Sequence, residues 1–316
     1  MPTKPELPLP AHDFWVPRIS DREFLRFQAM VYREAGIYLS LSKQSLLVGR
    51  LAKRLRSLDL SGFGEYLRLV DEDPGERALM IECLCTHETH FFREKRHFEF
   101  LERTVFPEWK AAAEQGRRTR SLRVWSAGCS SGEEPYSLAM SLLDHFSPQS
   151  WGIQILATDL SSRVLTQAER AQWPIARAAE IPERLLKSFM LKGTGEYEGL
   201  MKAGPELRAR ITFQQQNLNA EPYAVTGTFD LILCCNVLIY FNPESRMRAV
   251  ERLIGHLANG AYLMVGHAEA LTGIAPEVRL VAPTIYRRQR LPDERACGWG
   301  RSFWAAGQAH PDRETA

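Results

Sequence analysis

The stretch Leu122-Arg-Val-Trp-Ser-Ala-Gly128-Cys-Ser-Ser-Gly132-Glu-Glu-Pro-Tyr136 decides how this chain is read. It begins as an apolar, β-branched and aromatic run and turns through small residues. It then enters a helical pattern, Ser137-Leu-Ala-Met-Ser-Leu-Leu143. This is a strand–loop–helix unit. Gly128 and Gly132 let the backbone turn sharply and approach a ligand. Open α/β sheets bind ligands at such turns, at the carboxyl ends of their strands. The loop is not GxGxxG, and it lacks the Lys-Ser/Thr ending of a phosphate loop. By itself it fits an ordinary βα turn as well as a ligand loop.

Working outward, Ile153–Asp159 reads as a second buried strand ending in an acid, placed to accept hydrogen bonds from a ribose. Strand Ile211–Gln215 ends at Asn217-Leu218. Phe229–Asn236 reads as a fourth strand continuing into Val237-Leu-Ile-Tyr240-Phe241. Pro243 opens a helix over Glu244–Leu257, which Asn259-Gly260 stops. Ala261–Val265 is a strand ending at Gly266-His267, and Val278–Arg288 an antiparallel edge strand. The span Trp173–Arg210 is too long for a simple crossover and reads as a small antiparallel insert at about 174–210, with a turn at Lys192-Gly-Thr-Gly195. The strand tips thus carry Gly128, Gly132, Glu133 and Glu134, then Asp159, Asn217, Asn236 and Tyr240. Together they form a polar rim able to hold a nucleoside. Glu133 and Glu134 at a helix start oppose a phosphate and suit a nucleoside with an amino group or positive centre. That combination selects S-adenosylmethionine over NAD or ATP.

Upstream lies a helical domain, residues 19–93. Ser20 and Asp21 cap a helix running to about Ala35, with Phe24, Phe27, Met30 and Val31 on one face, and Gly36 ends it. A second helix over 42–58 turns Leu46, Leu47, Leu51 and Leu55 inward. It shows Lys43, Arg50, Lys53, Arg54 and Arg56 outward, without i,i+4 acidic partners. Such a face is solvated surface or a docking surface for an acidic partner. Helices over 62–71 and 74–86 follow. Thr86–Arg93 sets Glu88, Thr89 and Arg93 beside Phe91 and Phe92, and Arg93 can grip a carboxylate through two parallel bonds. Cys83, Cys85, His87 and His90 lack the CxxC spacing of a zinc site, so no metal is expected. Lys95–Glu108 is a helix and Lys110–Arg120 a basic linker, so 94–120 joins the two domains. The Pro-rich residues 1–18 read as an arm and 289–316 as a tail.

The 316 residues are 45% hydrophobic and 25% charged, with formal net charge +2. These are globular values, and they speak against a general nucleic-acid binder. The sequence shows no signal-peptide core and no apolar run of bilayer length, so a cytoplasmic protein is expected. Its six cysteines are expected as thiols.

Three segments, Thr89-x-Phe-Phe-Arg93, Val124-Trp-Ser-Ala-Gly-Cys-Ser-Ser-Gly-Glu-Glu-Pro-Tyr-Ser137 and Asn236-Val-Leu-Ile-Tyr-Phe241, resemble the signatures of the CheR-type chemotaxis receptor glutamate methyltransferases. The resemblance runs from about residue 20 to 288. It implies a class I S-adenosylmethionine-dependent methyltransferase: a Rossmann-like, doubly wound α/β sheet over 121–288, an all-helical N-terminal domain and a small antiparallel β insert. It implies S-adenosylmethionine as donor, S-adenosylhomocysteine as product, and glutamate side chains of chemoreceptors as acceptor. Thr89, Arg93, Glu134, Asp159, Asn217, Leu218, Asn236 and Val237 match donor-binding positions, and His87 stands where members often carry Asn. Arg93 and Tyr240 match residues near the transferring methyl. The implied partners are chemoreceptor cytoplasmic domains, for which the basic helix 42–58 offers a candidate docking surface, and, as in some members of the family, a receptor tail peptide docked on the insert. A monomer is expected. Two other readings differ in kind. An amine or nucleic-acid N-methyltransferase fits poorly, because Asn236–Tyr240 has one residue too many and no prolines for an Asn/Asp-Pro-Pro-Tyr loop. A non-catalytic donor sensor would not need both Arg93 and Tyr240.

Overall fold

The structure, a computed structural model, describes residues 18–271 and 276–289. The expected arm and tail lie outside the described residues, save Arg18 and Gln289. Helix α1 (Asp21–Ala35) starts at a reciprocal cap. Ser20 Oγ accepts from Glu23 N, and the Glu23 carboxylate accepts from Ser20 N at 2.8 Å. Gly36 ends it in the left-handed region, φ 70°. A 3-10 turn (Leu41–Lys43) leads into α2 (Gln44–Ser57), then α3 (Phe63–Glu72) and α4 (Pro74–Leu84). Phe24, Phe27, Val31, Leu47, Leu51, Leu55, Tyr66 and Met80 form their shared core. Leu46 does not join it: expected inward, it is 41% exposed, because only Leu47, Leu51 and Leu55 keep the buried spacing.

The basic face of α2 is only partly free. Arg54 grips the buried Glu76 through Nε (2.9 Å) and Nη2, with Tyr66 Oη donating to the same carboxylate at 2.8 Å. Arg50 caps the end of α4 by donating to Leu84 O and Thr86 Oγ1. An acidic partner, missing at i,i+4 within the helix as expected, thus comes to Arg54 from α4. Lys53 and Arg56 remain exposed.

The joining segment is helical further than the sequence indicated. Helix α5 (Lys95–Phe100) widens into a π turn (Leu101–Val105) and continues as α6 (Phe106–Glu114), so the expected linker begins only after Glu114. Pro107 has no N–H for the fourth preceding carbonyl, and the wider turn, closed by Phe106 N on Leu101 O, absorbs the missing bond.

The sheet follows: β1 (Ser121–Ala127), α7 (Glu133–His145), β2 (Gly152–Asp159) and α8 (Ser162–Arg170). Next comes the insert, with β3 (Gln172–Pro174), α9 (Glu183–Phe189), β4 (Met190–Lys192), β5 (Leu200–Ala203) and α10 (Pro205–Arg208). The chain closes with β6 (Ile211–Gln215), β7 (Phe229–Cys234), α11 (Pro243–Gly255), β8 (Leu257–Val265), β9 (Val278–Ala282) and β10 (Ile285–Arg288). The main sheet runs β6-β2-β1-β7-β8-β10-β9; the first five strands are parallel and the last two antiparallel. The insert is an antiparallel sheet in the order β3-β5-β4. This is the class I methyltransferase architecture preceded by an all-helical domain.

Alternation along the strands explains the burial on both faces. Leu122, Val124, Leu231, Leu233, Tyr262 and Met264 pack one way, under α6 and α7. Trp125, Ala127, Ile232, Cys234, Leu263 and Val265 pack the other way, under α11. Two expectations about strands fail. Val278–Arg288 is a hairpin of two strands. Asn259-Gly260 does not stop α11 but lies inside β8, where the pairing with β7 shifts register and Gly260 takes φ 77°. Among the described residues no helix is long and apolar enough to cross a membrane.

Candidate functional site

Strand order reverses between β1 and β7, so their carboxyl ends form a switch-point crevice. After β1, Gly128 N and Cys129 N both donate to Thr158 O, at 2.7 and 2.9 Å, which ties the loop to the end of β2. Gly128 holds φ 89°, and a Cβ there would sit 2.3 Å from Val237 Cγ2. A Cβ on Gly132 would meet Ala168 at 3.0 Å. Both glycines are therefore required by neighbouring protein atoms.

After β7 the expected strand continuation is replaced by a turn. Asn236 takes φ 61°, and Leu238–Tyr240 form a 3-10 turn. The turn carries Tyr240 to the helical domain, where Tyr38 N donates to Tyr240 O at 2.8 Å. Lys43 Nζ lies 6.0 Å from the Tyr240 ring centroid.

One cavity spans the crevice and the face of the helical domain. His87, Thr89, Arg93, Glu134, Asp159, Asn217, Leu218, Asn236, Val237 and Tyr240 all line it. Tertiary folding thus brings the ten sequence candidates to a single wall. Asp159 Oδ2 accepts from Ser130 N at 2.9 Å and Oδ1 from Ser161 N at 3.0 Å, which fixes the carboxylate while leaving lone pairs free. Ser130 Oγ in turn donates to His87 O at 3.0 Å. Asn217 spends its side chain structurally. Its Nδ2 donates to Glu34 O at 2.6 Å and its Oδ1 accepts from Asn219 N at 2.8 Å. What it offers the cavity is backbone and Leu218.

Glu134 accepts from Ser126 Oγ at 2.6 Å, and burial pushes its carboxyl up to about 7. Burial pushes the His87 imidazole down, keeping it neutral. Two buried polar atoms of the wall have no partner, His87 Nε2 and Asn236 Oδ1. Buried polar groups are normally paired, so these two mark places where a bound molecule supplies the bond. With Glu134, Asp159 and Glu94 also on the wall, the lining is anionic and repels phosphate. These observations fit a cationic nucleoside donor.

Arg93 is exposed at the edge of the cavity. Its Nη1 donates to Glu88 O at 2.7 Å, and it makes no ion pair among the described residues. The segment carrying it is pinned to the sheet domain. Phe92 N donates to Ser137 Oγ, Phe91 N to Glu180, and Arg177 Nη2 to Thr89 O.

One residue expected at the rim faces elsewhere. Glu133 is buried against Arg177 (3.0 Å) and does not line the cavity. Phe91 and Tyr136 pack on Trp173 and do not line the cavity. Phe92, Phe98 and Phe241 do line it. Cys85, His87 and His90 line it as well, but among the described residues no three His, Cys, Asp or Glu side chains are grouped to hold a metal ion. Sequence reasoning passed over Glu269, Ser130 and the insert pair Arg177/Glu180. The signal for Glu269 was an acid three residues beyond Gly266 at a strand tip.

Comparison with known proteins agrees with this architecture. The family model described as CheR methyltransferase, SAM binding domain, matches residues 87–286, and CheR methyltransferase, all-alpha domain, matches residues 22–85. Chemotaxis protein methyltransferase 2 of Pseudomonas aeruginosa is 37% identical over 264 residues, 84% of this chain and 92% of that protein. The chemotaxis protein methyltransferase of Escherichia coli is 35% identical over 272 residues, 85% of this chain and 91% of that protein. With a helical domain, a switch-point cavity and both domain models matched in order, the chain belongs to the CheR methyltransferase family.

Proposed function

We propose that this protein transfers a methyl group from S-adenosylmethionine to glutamate side chains in chemoreceptor cytoplasmic domains, leaving a methyl ester and S-adenosylhomocysteine. The observation that carries the reading is one cavity with an anionic wall at the strand tips and, at its exposed edge, an Arg93 guanidinium that makes no ion pair among the described residues. The wall suits a cationic donor and the edge suits a carboxylate acceptor.

The donor supplies an electrophilic methyl on a sulfonium; the protein's task is to hold, orient and dry the site. Asp159 presents carboxylate lone pairs for ribose hydroxyls. Glu134, once ionised, faces the donor's ammonium group. Asn236 Oδ1 and His87 Nε2 take up bonds they lack in the free protein. A glutamate acceptor is already ionised near neutrality, with a reference pKa of about 4.3, so no general base is required. Ionic reactants become neutral products, and water resists this by solvating the charges. Phe92, Phe98, Tyr240 and Phe241 substitute an apolar wall for that water. Arg93 orients the incoming carboxylate, and Tyr240 guides it toward the donor. The acceptor segment is met by the exposed Lys53 and Arg56 of α2, and a receptor tail peptide by the insert.

The test is incubation with methyl-labelled donor and receptor cytoplasmic fragments, with and without their tails, followed by alkaline release of methanol. Base-labile label on the fragments is expected. Label that is stable to base and carried by nucleic acid, or donor binding without transfer to any fragment, would overturn the reading.

A further inference from the structure

The fully buried Glu269 lies directly behind the cavity and plays no part in the mechanism above. Its carboxylate is enclosed by backbone N–H donors. Oε2 accepts from Asn236 N at 2.7 Å and Gly266 N at 2.7 Å, and Oε1 from Ile239 N at 3.1 Å. No basic side chain pairs with it among the described residues. An ionised carboxylate fits this setting because both oxygens act only as acceptors. The arrangement leaves no room for a larger neighbour: a Cβ on Gly266 would lie 2.6 Å from Oε2.

The bonded amides are those of the turn that shapes the site. Asn236 N is held while Asn236 sits in the left-handed region and its unpaired Oδ1 remains on the cavity wall. Val237, the next residue, fills the space left by Gly128. Ile239 N belongs to the 3-10 turn that presents Tyr240. Gly266 N anchors the whole to the end of β8. One side chain therefore joins the tips of β7 and β8 and fixes both donor-side and acceptor-side elements.

We infer that Glu269 is a positioning residue for donor binding: its carboxylate, through the amides of Asn236 and Ile239, holds the β7 turn in the shape that receives the nucleoside. The inference rests on the cavity being the donor site and is independent of the acceptor's identity. Its test therefore uses no methyl acceptor.

Glu269→Gln keeps size and shape but turns two of the acceptor sites into donors aimed at N–H groups. Glu76→Gln is the comparison: another buried carboxylate, in the helical domain and away from the cavity. Wild type and both variants are titrated with S-adenosylhomocysteine by calorimetry and melted in parallel. Wild-type binding reports on the donor site itself. Both variants are expected to melt lower, but only Glu269→Gln to lose affinity, by tenfold or more. If Glu269→Gln does not fold, Gly266→Ala, which crowds the same carboxylate and the Asn236 amide it holds, is expected to weaken binding in its place. Wild-type affinity in a folded Glu269→Gln or Gly266→Ala protein would overturn the inference, as would an equal loss of affinity in Glu76→Gln.

Discussion

Replacing Glu134 by Gln is expected to remove a pH dependence from donor binding. Burial raises the Glu134 carboxyl to about 7, against hydrogen bonds from Ser126 and Cys235; the negative charges of Glu94 and Glu269 add to the rise. A donor bringing positive charge selects the ionised form. One pH unit below the midpoint about a tenth of the molecules are ionised, and one unit above about nine-tenths. Because apparent affinity scales with the competent fraction, binding of S-adenosylhomocysteine should strengthen about tenfold between about pH 6 and pH 8. A glutamate with an ordinary pKa would give a flat profile over that range. The assay is titration calorimetry across the range for wild type and Glu134→Gln, repeated in two buffers of different ionisation heat to count released protons. Wild type should release a proton on binding at the acidic end, and the variant should bind weakly and without slope. A flat wild-type profile, or the same slope in the variant, would refute the reasoning. Stability gives an independent check of sign. The folded protein keeps a proton that the unfolded chain releases, so unliganded wild type should lose stability as pH rises from the ordinary carboxylate range toward 7. Glu134→Gln should lack that component of the fall.

Arg93→Ala should lose most methyl transfer, on the order of a hundredfold, because alignment of the acceptor is lost; Tyr240→Phe should retain donor binding, and unchanged transfer in both would remove the two residues from the mechanism. Gly128→Ala places a Cβ 2.3 Å from Val237 Cγ2 at φ 89°, so both the melting temperature and donor affinity should fall, as scanning calorimetry and titration would show. Arg54→Ala leaves the buried Glu76 without its cation and should cost roughly 3 kcal/mol in urea unfolding, with donor affinity of the folded protein unchanged. Reversing charge at Lys53 and Arg56 should raise KM for receptor fragments without changing donor affinity; because exposed charges are screened, the difference should shrink as salt is added.

The sequence by itself determined the parts of this protein governed by short-range rules. Near-continuous apolar runs specified strands buried on both faces, and the Gly128–Gly132 loop specified a tight turn between strand and helix. Ten residues named from the sequence line one cavity: seven lie at or after the carboxyl ends of parallel strands, which share one edge of the sheet, and His87, Thr89 and Arg93 come from the segment that closes the helical domain. Tertiary structure alone decided orientation within those segments. Glu133 and Glu134 are adjacent in sequence, yet one turns to Arg177 and the other to the cavity, because successive helical residues point about 100° apart and only packing fixes the phase. The strand pattern of Phe229–Phe241 gave no sign of its break at Asn236, whose amide bonds a carboxylate 33 positions away in the chain. The partner of Arg54 came from another helix for the same reason. Periodicity along a chain reports which elements form, whereas the bonds that bend and aim them join residues distant in sequence, which meet only once the elements have packed.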